Sequence, residues 1–483
     1  MVVEISRHGA RSPVDQKYNV TQTYWPMGEG MLTEVGQRQH YLIGTEYRRR
    51  YIEQQKLLDE KYNSQQVLVY STFRERCYES AQAQLLGLYP PSQNTQKLSQ
   101  EQSNKAVIVL DDFDSDFDYL QRNVIPQELK DNAIDSKYQS IPIFQLEEKN
   151  DFLMRAFSEK TCSRMGELYA DYWDTDQIKK MEEFYYDALF VPLQKKLNMT
   201  IPKTWKHQNH IVDEISQAMF HSMPMPFELS SEEQRLIHKF QRDDFYRRRY
   251  GSRDIALYAS SDLRKFIAQQ MNDRVLGLSD LRFLFLSSHD SVVSMVLSAL
   301  NLPQDEAPPL ASTLLFEVYS LDNSQNTSTA VNGHTTLEHS NEQKHIVKLI
   351  YNDKQLDLSE YCYGESHPYT LDSDFECEFH VFIDKFVQNT VESLKDECQK
   401  SQKSLTSDIL DFFGVKGETQ SDQISTILII ALTVLVMLLT MVVCCKKFFF
   451  KRVISKKQTS SKFPGGFQLV EQSRGKQNYD AFN

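Results

Sequence analysis

The chain has 483 residues, 40% hydrophobic and 25% charged, enough for two or three domains and too rich in core-forming residues for a disordered tail or a disulfide-held miniature. The formal charge of −12 is uneven: residues 446–483 carry nine lysines and arginines against two acids, leaving −19 on the body ahead of them, which excludes nucleic acid as that body's partner.

Val2, Val3, Glu4 and Ile5 read as a short strand entering a turn. Residues 31–56 repeat at helical spacing, with Leu32, Val35, Tyr41, Leu42 and Tyr47 as expected core contacts. Residues 67–70 form a second strand, with a helix over 74–87 behind it. Residues 92–137 are polar, with Asp112, Asp114, Asp116 and Asp118 alternating. A calcium loop would need Gly where Phe117 stands and Glu where Asn123 stands, so this segment reads as a solvated acidic loop. From 140 to 275 the pattern is helical without strands. Residues 281–286 (LRFLFL) are apolar enough for a central strand covered on both faces, and a helix follows from near Ser291. Residues 312–320 and 345–351 supply two more strands, and there is no internal repeat.

This order describes an α/β fold: a mixed, mostly parallel central sheet flanked by helices, from residues 1–139 and 276–400, with a mostly α-helical cap inserted over 140–275. A juxtamembrane linker, 401–423, leads into residues 424–445, which are free of charge and apolar on every face, as a transmembrane helix is. Lys446, Lys447, Lys451 and Arg452 follow the span, whereas Asp408, Asp411, Glu418 and Asp422 precede it. The basic tail, 446–483, is therefore expected in the cytosol and the body in the lumen or outside, as in a single-pass type I membrane protein. Sequons at Asn19, Asn198 and Asn326 agree as glycosylation sites. The lumenal cysteines Cys77, Cys162, Cys362, Cys377 and Cys398 allow two disulfides with one left over. Cys444 and Cys445 are either palmitoylation sites or apolar filler. A lumenal body needs an N-terminal signal, expected upstream of Met1 because the first residues belong to the strand. Tyr479-Asp-Ala-Phe482 has the form of a sorting signal for lysosome-like delivery.

Three segments carry chemistry. The first strand delivers Arg7-His8-Gly9-Ala10-Arg11-Ser12-Pro13, a histidine between two arginines with a glycine that admits close backbone approach. Guanidinium forks match phosphate oxygens in pairs, and their charge lowers the proton affinity of a histidine that must offer a bare ring nitrogen. His289-Asp290 closes the central strand, where α/β sheets place their sites, and offers a phosphate donor and a carboxylic acid for a leaving oxygen. Tyr70-Ser-Thr-Phe-Arg-Glu-Arg76 brings Arg74 and Arg76 to a strand end, and either completes a cationic pocket. His207 and His210 lack a neighbouring Cys or acid cluster, so no metal is read there.

At these residues the chain resembles the histidine acid phosphatases, the branch of the histidine phosphatase superfamily marked by RHGxRxP early and HD late. Trp25-Pro26-x-Gly28-x-Gly30-x-Leu32-Thr33-x-x-Gly36, Gln39-His40-Tyr41, Ser71-Thr72-x-x-x-Arg76-x-x-x-Ser80-Ala81, Leu88-Tyr89-Pro90-Pro91, Gln139-x-Ile141-Pro142 and Pro308-Pro309-x-Ala311-Ser312 extend the resemblance over residues 1–400. It implies an acid phosphomonoesterase with His8 as nucleophile, forming a phosphohistidine, and Asp290 as proton donor. Arg7, Arg11, Arg76 and His289 would hold the phosphate, and the alignment selects Arg76 over Arg74. Neither metal nor cofactor is implied, since arginines supply the charge a two-metal phosphatase takes from its ions. The partners implied are a small phosphomonoester substrate and the membrane, with a homodimer compatible. The resemblance further implies Cys162–Cys398 and Cys362–Cys377 bridges, leaving Cys77 free. Tyr70 replaces the family's arginine, Phe73 its aspartate, and residues 92–137 look like an insertion. The alternatives are a phytase or inositol-phosphate phosphatase, disfavoured by the acidic body, and an inactive surface receptor on the same fold.

Overall fold

The strand-forming runs meet in a single sheet because they are apolar on both faces and must be covered on both. The computed structural model describes residues 1–18, 20, 25–91, 97–106, 124, 128–134, 138–321, 344–364 and 376–398. The chain divides into two compact units, Met1–Gln402 and Lys403–Asn483, and the described residues all lie in the first. Its strands are β1 (Val2–Arg7), β2 (Val67–Ser71), β3 (Phe144–Gln145), β4 (Phe283–Ser288), β5 (Thr313–Ser320), β6 (His345–Tyr351), β7 (Lys354–Leu356) and β8 (Cys377–Glu378). They are ordered β3-β2-β4-β1-β5-β6-β7, with β8 also on β6. The sheet is mixed: β3, β2, β4 and β1 run parallel, and the pairings from β5 onward are antiparallel.

On one face Val3 and Ile5 of β1 and Leu284 and Leu286 of β4 form a core with the helices Arg253–Ala259, Ser261–Val275, Asp290–Ala299 and Phe379–Val387. On the other, Val2, Val67, Val69, Phe283 and Phe285 pack on α1 (Glu34–Tyr47) and α2 (Glu75–Leu88). A third core, drawn mainly from the region 185–240, includes Tyr185, Phe190, Trp205 and Phe240. The expected helical insert is thus divided in its packing: 253–275 and the stretch from Met154 to Tyr169 belong to the sheet's own core. The strand-free reading of 140–275 is corrected by β3, a two-residue edge strand held by main-chain pairing to Tyr70 and Ser71, with no side-chain pattern to announce it.

The first helix is where the sequence reading errs most. Leu32 and Tyr47 are buried, but Val35, Tyr41 and Leu42 are exposed, and the buried face is Gly36, His40, Gly44 and Tyr47. Backbone contact sets this face: a Cβ on Gly44 would stand 1.9 Å from the Gln84 carbonyl oxygen, and one on Gly87 2.2 Å from that of Tyr41. Only glycine permits so close an approach of two helices. The central strand runs to Ser288 instead of stopping at Leu286, since the Ser287 and Ser288 hydroxyls donate to the carbonyls of Cys77 and Ser6 and so tolerate burial.

Cys162–Cys398 and Cys362–Cys377 are bonded and Cys77 is free and buried, the pairing the resemblance implied. Asn198 is exposed at the end of the helix Val191–Leu197. Asn19, Asn326, the aspartates at 112–118, Cys444, Cys445, Tyr479, the linker, the expected span and the basic tail lie outside the described residues. Among the described residues no helix is long and apolar enough to cross a membrane.

Candidate active site

Three parallel strands end level. Arg7 of β1 pairs in register with Ser288 of β4, and Ser71 of β2 with Ser287, so residues 8–12, 72–76 and 289–290 emerge side by side. Main-chain bonds continue the alignment past the strands: the His8 N–H donates to the Ser288 carbonyl at 3.0 Å and the Thr72 N–H to that of Ser287 at 3.1 Å. Register alone thus brings together segments that lie far apart in the chain.

The His8 ring is buried, with its centroid 5.5 Å from that of His289. Its Nδ1 lies 2.9 Å from the Gly9 carbonyl, which can only accept, so the proton sits on Nδ1 and Nε2 keeps its lone pair. Burial first, then Arg76, Arg7, Arg11 and His289, push the proton affinity of His8 well below the ordinary value of 6.5. Burial and then Arg76, Arg155, Arg74 and Arg11 do the same to His289, whose Nε2 meets the Thr72 hydroxyl at 3.0 Å. Both rings are thus held toward the neutral form.

The arginines differ in their partners. Arg7 pairs with Asp290 at 2.9 Å and donates to the Pro308 carbonyl. Arg11 forms a bidentate pair with Asp213 at 2.7 and 3.0 Å. Arg76 donates to the Gly30 carbonyl at 3.2 Å and has no carboxylate partner among the described residues; burial lowers its affinity to about 10. Arg74 instead points to Glu148 at 2.8 Å, an acid it shares with Arg155, so of the two arginines that the spacing leaves open it is Arg76 that is the dominant charge felt by His8.

Several supporting residues escape sequence reasoning. Asp213, on the helix Trp205–Phe220, lies 202 residues from its partner Arg11, and no local pattern marks it. Burial would raise its affinity, but the Arg11 guanidinium, with bonds from the Val14 N–H and Gln217, outweighs it and holds the carboxylate below the ordinary range. Ser80 accepts from the Gly9 N–H and Gln39 from the Ala10 N–H. Both stood in the family-like stretches, the only signal available. His207 bonds to Thr204 and His210 faces Asp15 at 3.4 Å, and no metal-holding cluster occurs among the described residues.

A nucleophile-ready histidine in an arginine cradle, at the carboxyl ends of parallel strands, is the arrangement of a phosphohistidine-forming site. The family model described as histidine phosphatase superfamily (branch 2) matches residues 1–352, and the chain belongs to that superfamily. Among characterised relatives, lysosomal acid phosphatase of Xenopus laevis is 25% identical over 329 residues, 66% of either chain. That of Rattus norvegicus is 25% identical over 331 residues, 67% of either chain. Prostatic acid phosphatase of Homo sapiens is 40% identical over 92 residues, 19% of this chain and 23% of that one. The matches to the lysosomal enzymes thus span about two thirds of their length. Among solved structures, the Klebsiella sp ASR1 phytase aligns with TM-score 0.50 at 15% identity over 81% of this chain and 95% of its own. The apo Hafnia alvei phytase aligns with TM-score 0.50 at 17% identity over 82% and 97%. At these identities the likeness shows the fold, and the resemblance read from the RHGARSP and His289-Asp290 motifs is borne out at the level of the family.

Proposed function

We propose that this chain is an acid phosphomonoesterase working through a phosphohistidine, anchored by residues 424–445 with its active site in the lumen of an acidic compartment or at the cell surface. The observation that carries the reading is the convergence of His8, its Nε2 unprotonated, with Arg7, Arg11, Arg76, His289 and Asp290 at three level strand ends. His8 Nε2 attacks phosphorus while the bond to the alcohol oxygen breaks, and Asp290 gives that oxygen its proton. Water then attacks phosphorus, the P–N bond breaks, Asp290 takes the water proton, and inorganic phosphate leaves. The arginines and His289 offset the charge of the equatorial oxygens. The names of the relatives support an acidic compartment, and Tyr479 offers a means of delivery.

The test is hydrolysis of an aryl phosphate near pH 5 by the detergent-solubilised full chain, with His8→Ala alongside. Full activity in the variant sinks the assignment, and no turnover by correctly bridged wild-type protein favours the receptor reading. A faster rate on inositol hexakisphosphate than on monophosphates would favour the phytase reading.

A further inference from the structure

Behind the proposed nucleophile lies a row of buried polar groups that the reaction does not use. Glu4 sits in the middle of β1, fully buried, between Phe285 of β4 and Leu315 of β5 in the register. One of its oxygens stands 2.6 Å from the Gln84 Nε2 of α2; Gln84 Oε1 stands 2.9 Å from His40 Nδ1 of α1; His40 Nε2 stands 3.1 Å from the carbonyl oxygen of Arg7. The row ends on the peptide that joins Arg7 to His8.

The protons in this row can be assigned from its closed end. The Arg7 carbonyl can only accept, so His40 Nε2 carries hydrogen. If His40 is neutral, Nδ1 must accept, and Gln84 must turn its NH2 toward it. The two ends of an amide have the same shape, so their assignment follows from the neighbours' protons. The Gln84 oxygen then faces Glu4, and Glu4 must donate, as only a protonated carboxyl does. The separation agrees: 2.6 Å lies within the range for an O–H donor and just short of the ~2.7–3.2 Å of an N–H donor. The other Glu4 oxygen is buried without a partner, which a neutral acid tolerates far better than a carboxylate. The alternative, Glu4 ionised and His40 cationic, puts two charges into this layer. Among the described residues no cation pairs with Glu4. Tyr47 of α1 is a titratable neighbour, and Glu317 of β5, an acid itself, is occupied by the Tyr51 and Tyr319 hydroxyls. Arg50 pairs with Glu46 and Asp353. Burial accordingly pushes Glu4 up to about 8 and lowers His40, both toward the neutral state.

We propose that protonated Glu4, Gln84 and neutral His40 form a one-directional proton-donor chain that ends on the Arg7 carbonyl and fixes the peptide carrying His8. They are positioning residues, and the inference rests on the phosphohistidine reading for its effect on rate alone. The test uses the full chain with Glu4→Gln, which keeps the shape and an N–H donor, and Gln84→Met, which keeps bulk and cuts the chain. Infrared difference spectra of wild type against Glu4→Gln at pH 7 should show the carbonyl band of a protonated carboxylic acid, and nitrogen NMR should find His40 as the neutral Nε2–H tautomer. Glu4→Gln should keep kcat within about twofold at pH 5 and gain stability relative to wild type as pH rises from 5 to 8, because the contribution of the protonated Glu4 carboxyl is lost over that range in the wild type alone, whereas Gln84→Met should lower kcat tenfold or more with KM within twofold. A missing band, or a doubly protonated His40, overturns the proposal. So does an unchanged kcat in Gln84→Met. If the wild type hydrolyses no phosphate ester, the function falls but the band and tautomer still decide the chain.

Discussion

Asp213→Asn isolates one contact between the helix Trp205–Phe220 and the loop that carries His8 and Arg11. Asp213 meets Arg11 at 2.7 and 3.0 Å with side chains only 8% and 15% exposed on the Arg and Asp sides, and it also accepts from the Val14 N–H at 3.0 Å. Removing one charge of a buried pair costs about 3–5 kcal/mol because the other is left uncompensated. Asn retains one acceptor oxygen, which puts the expected loss near the lower end, about 3 kcal/mol. Freed from its fork, Arg11 should also hold phosphate less well, lowering kcat/KM by about tenfold, or ~1.4 kcal/mol. The affinity of Asp213 for a proton is depressed in the folded state, so its contribution is present above the unfolded value of about 3.9 and is lost only as pH falls below it. Denaturant melts of wild type and variant should therefore differ by the same amount at pH 7 and pH 5. A difference under about 1 kcal/mol, or one that collapses between pH 6 and 5, would refute the reasoning.

Arg76→Ala should lower kcat/KM about 10–100-fold, the loss of a charge-assisted bond of ~1.5–3 kcal/mol, while Arg74→Ala, which releases a guanidinium already bound to Glu148, should stay within about threefold; steady-state rates on an aryl phosphate decide. Gly44→Ala places a methyl on the Gln84 backbone and should cost about 1–3 kcal/mol in a denaturant melt, without altering KM. His8 is neutral when folded but takes a proton below about 6.5 when unfolded, so it makes stability fall as pH drops, by up to ~1.4 kcal/mol per unit. His8→Ala should accordingly show a shallower decline between pH 6.5 and 5, and an equal or steeper one would contradict its neutral state.

The parts legible in the sequence are those specified by neighbouring residues. The alternation of β6 and the apolar run of β4 declare themselves, and RHGARSP and His289-Asp290 carry their residue types in adjacent positions. What fails is whatever depends on a partner far away in the chain. Val35, Tyr41 and Leu42 have the spacing of a core face, yet Gly36 and Gly44 determine the face, because α2 arrives there with its own backbone. β3 exists only through β2, and Asp213 has meaning only opposite Arg11. The choice between Arg74 and Arg76 is of the same kind. In the structure it turns on Glu148, which engages Arg74 and leaves Arg76 beside His8.

That difference sets the charge around His8. Arg7 is offset by Asp290 and Arg11 by Asp213, Arg74 and Arg155 share Glu148, and His8 and His289 are lowered toward the neutral form, whereas Arg76 has no carboxylate partner among the described residues. Below its second ionisation, near pH 6, a phosphomonoester is a monoanion. One such anion balances Arg76. The monoanion also brings a proton with it, and in the proposed reaction Asp290 is the group that must hold a proton when the alcohol leaves. In that proposed reaction the proton that Asp290 gives the alcohol oxygen can come from the monoanion's own P–O–H without drawing on solvent. On the proposed reading acid serves the reaction by protonating the substrate, while burial and the arginines hold the proton affinity of His8 well below its ordinary value.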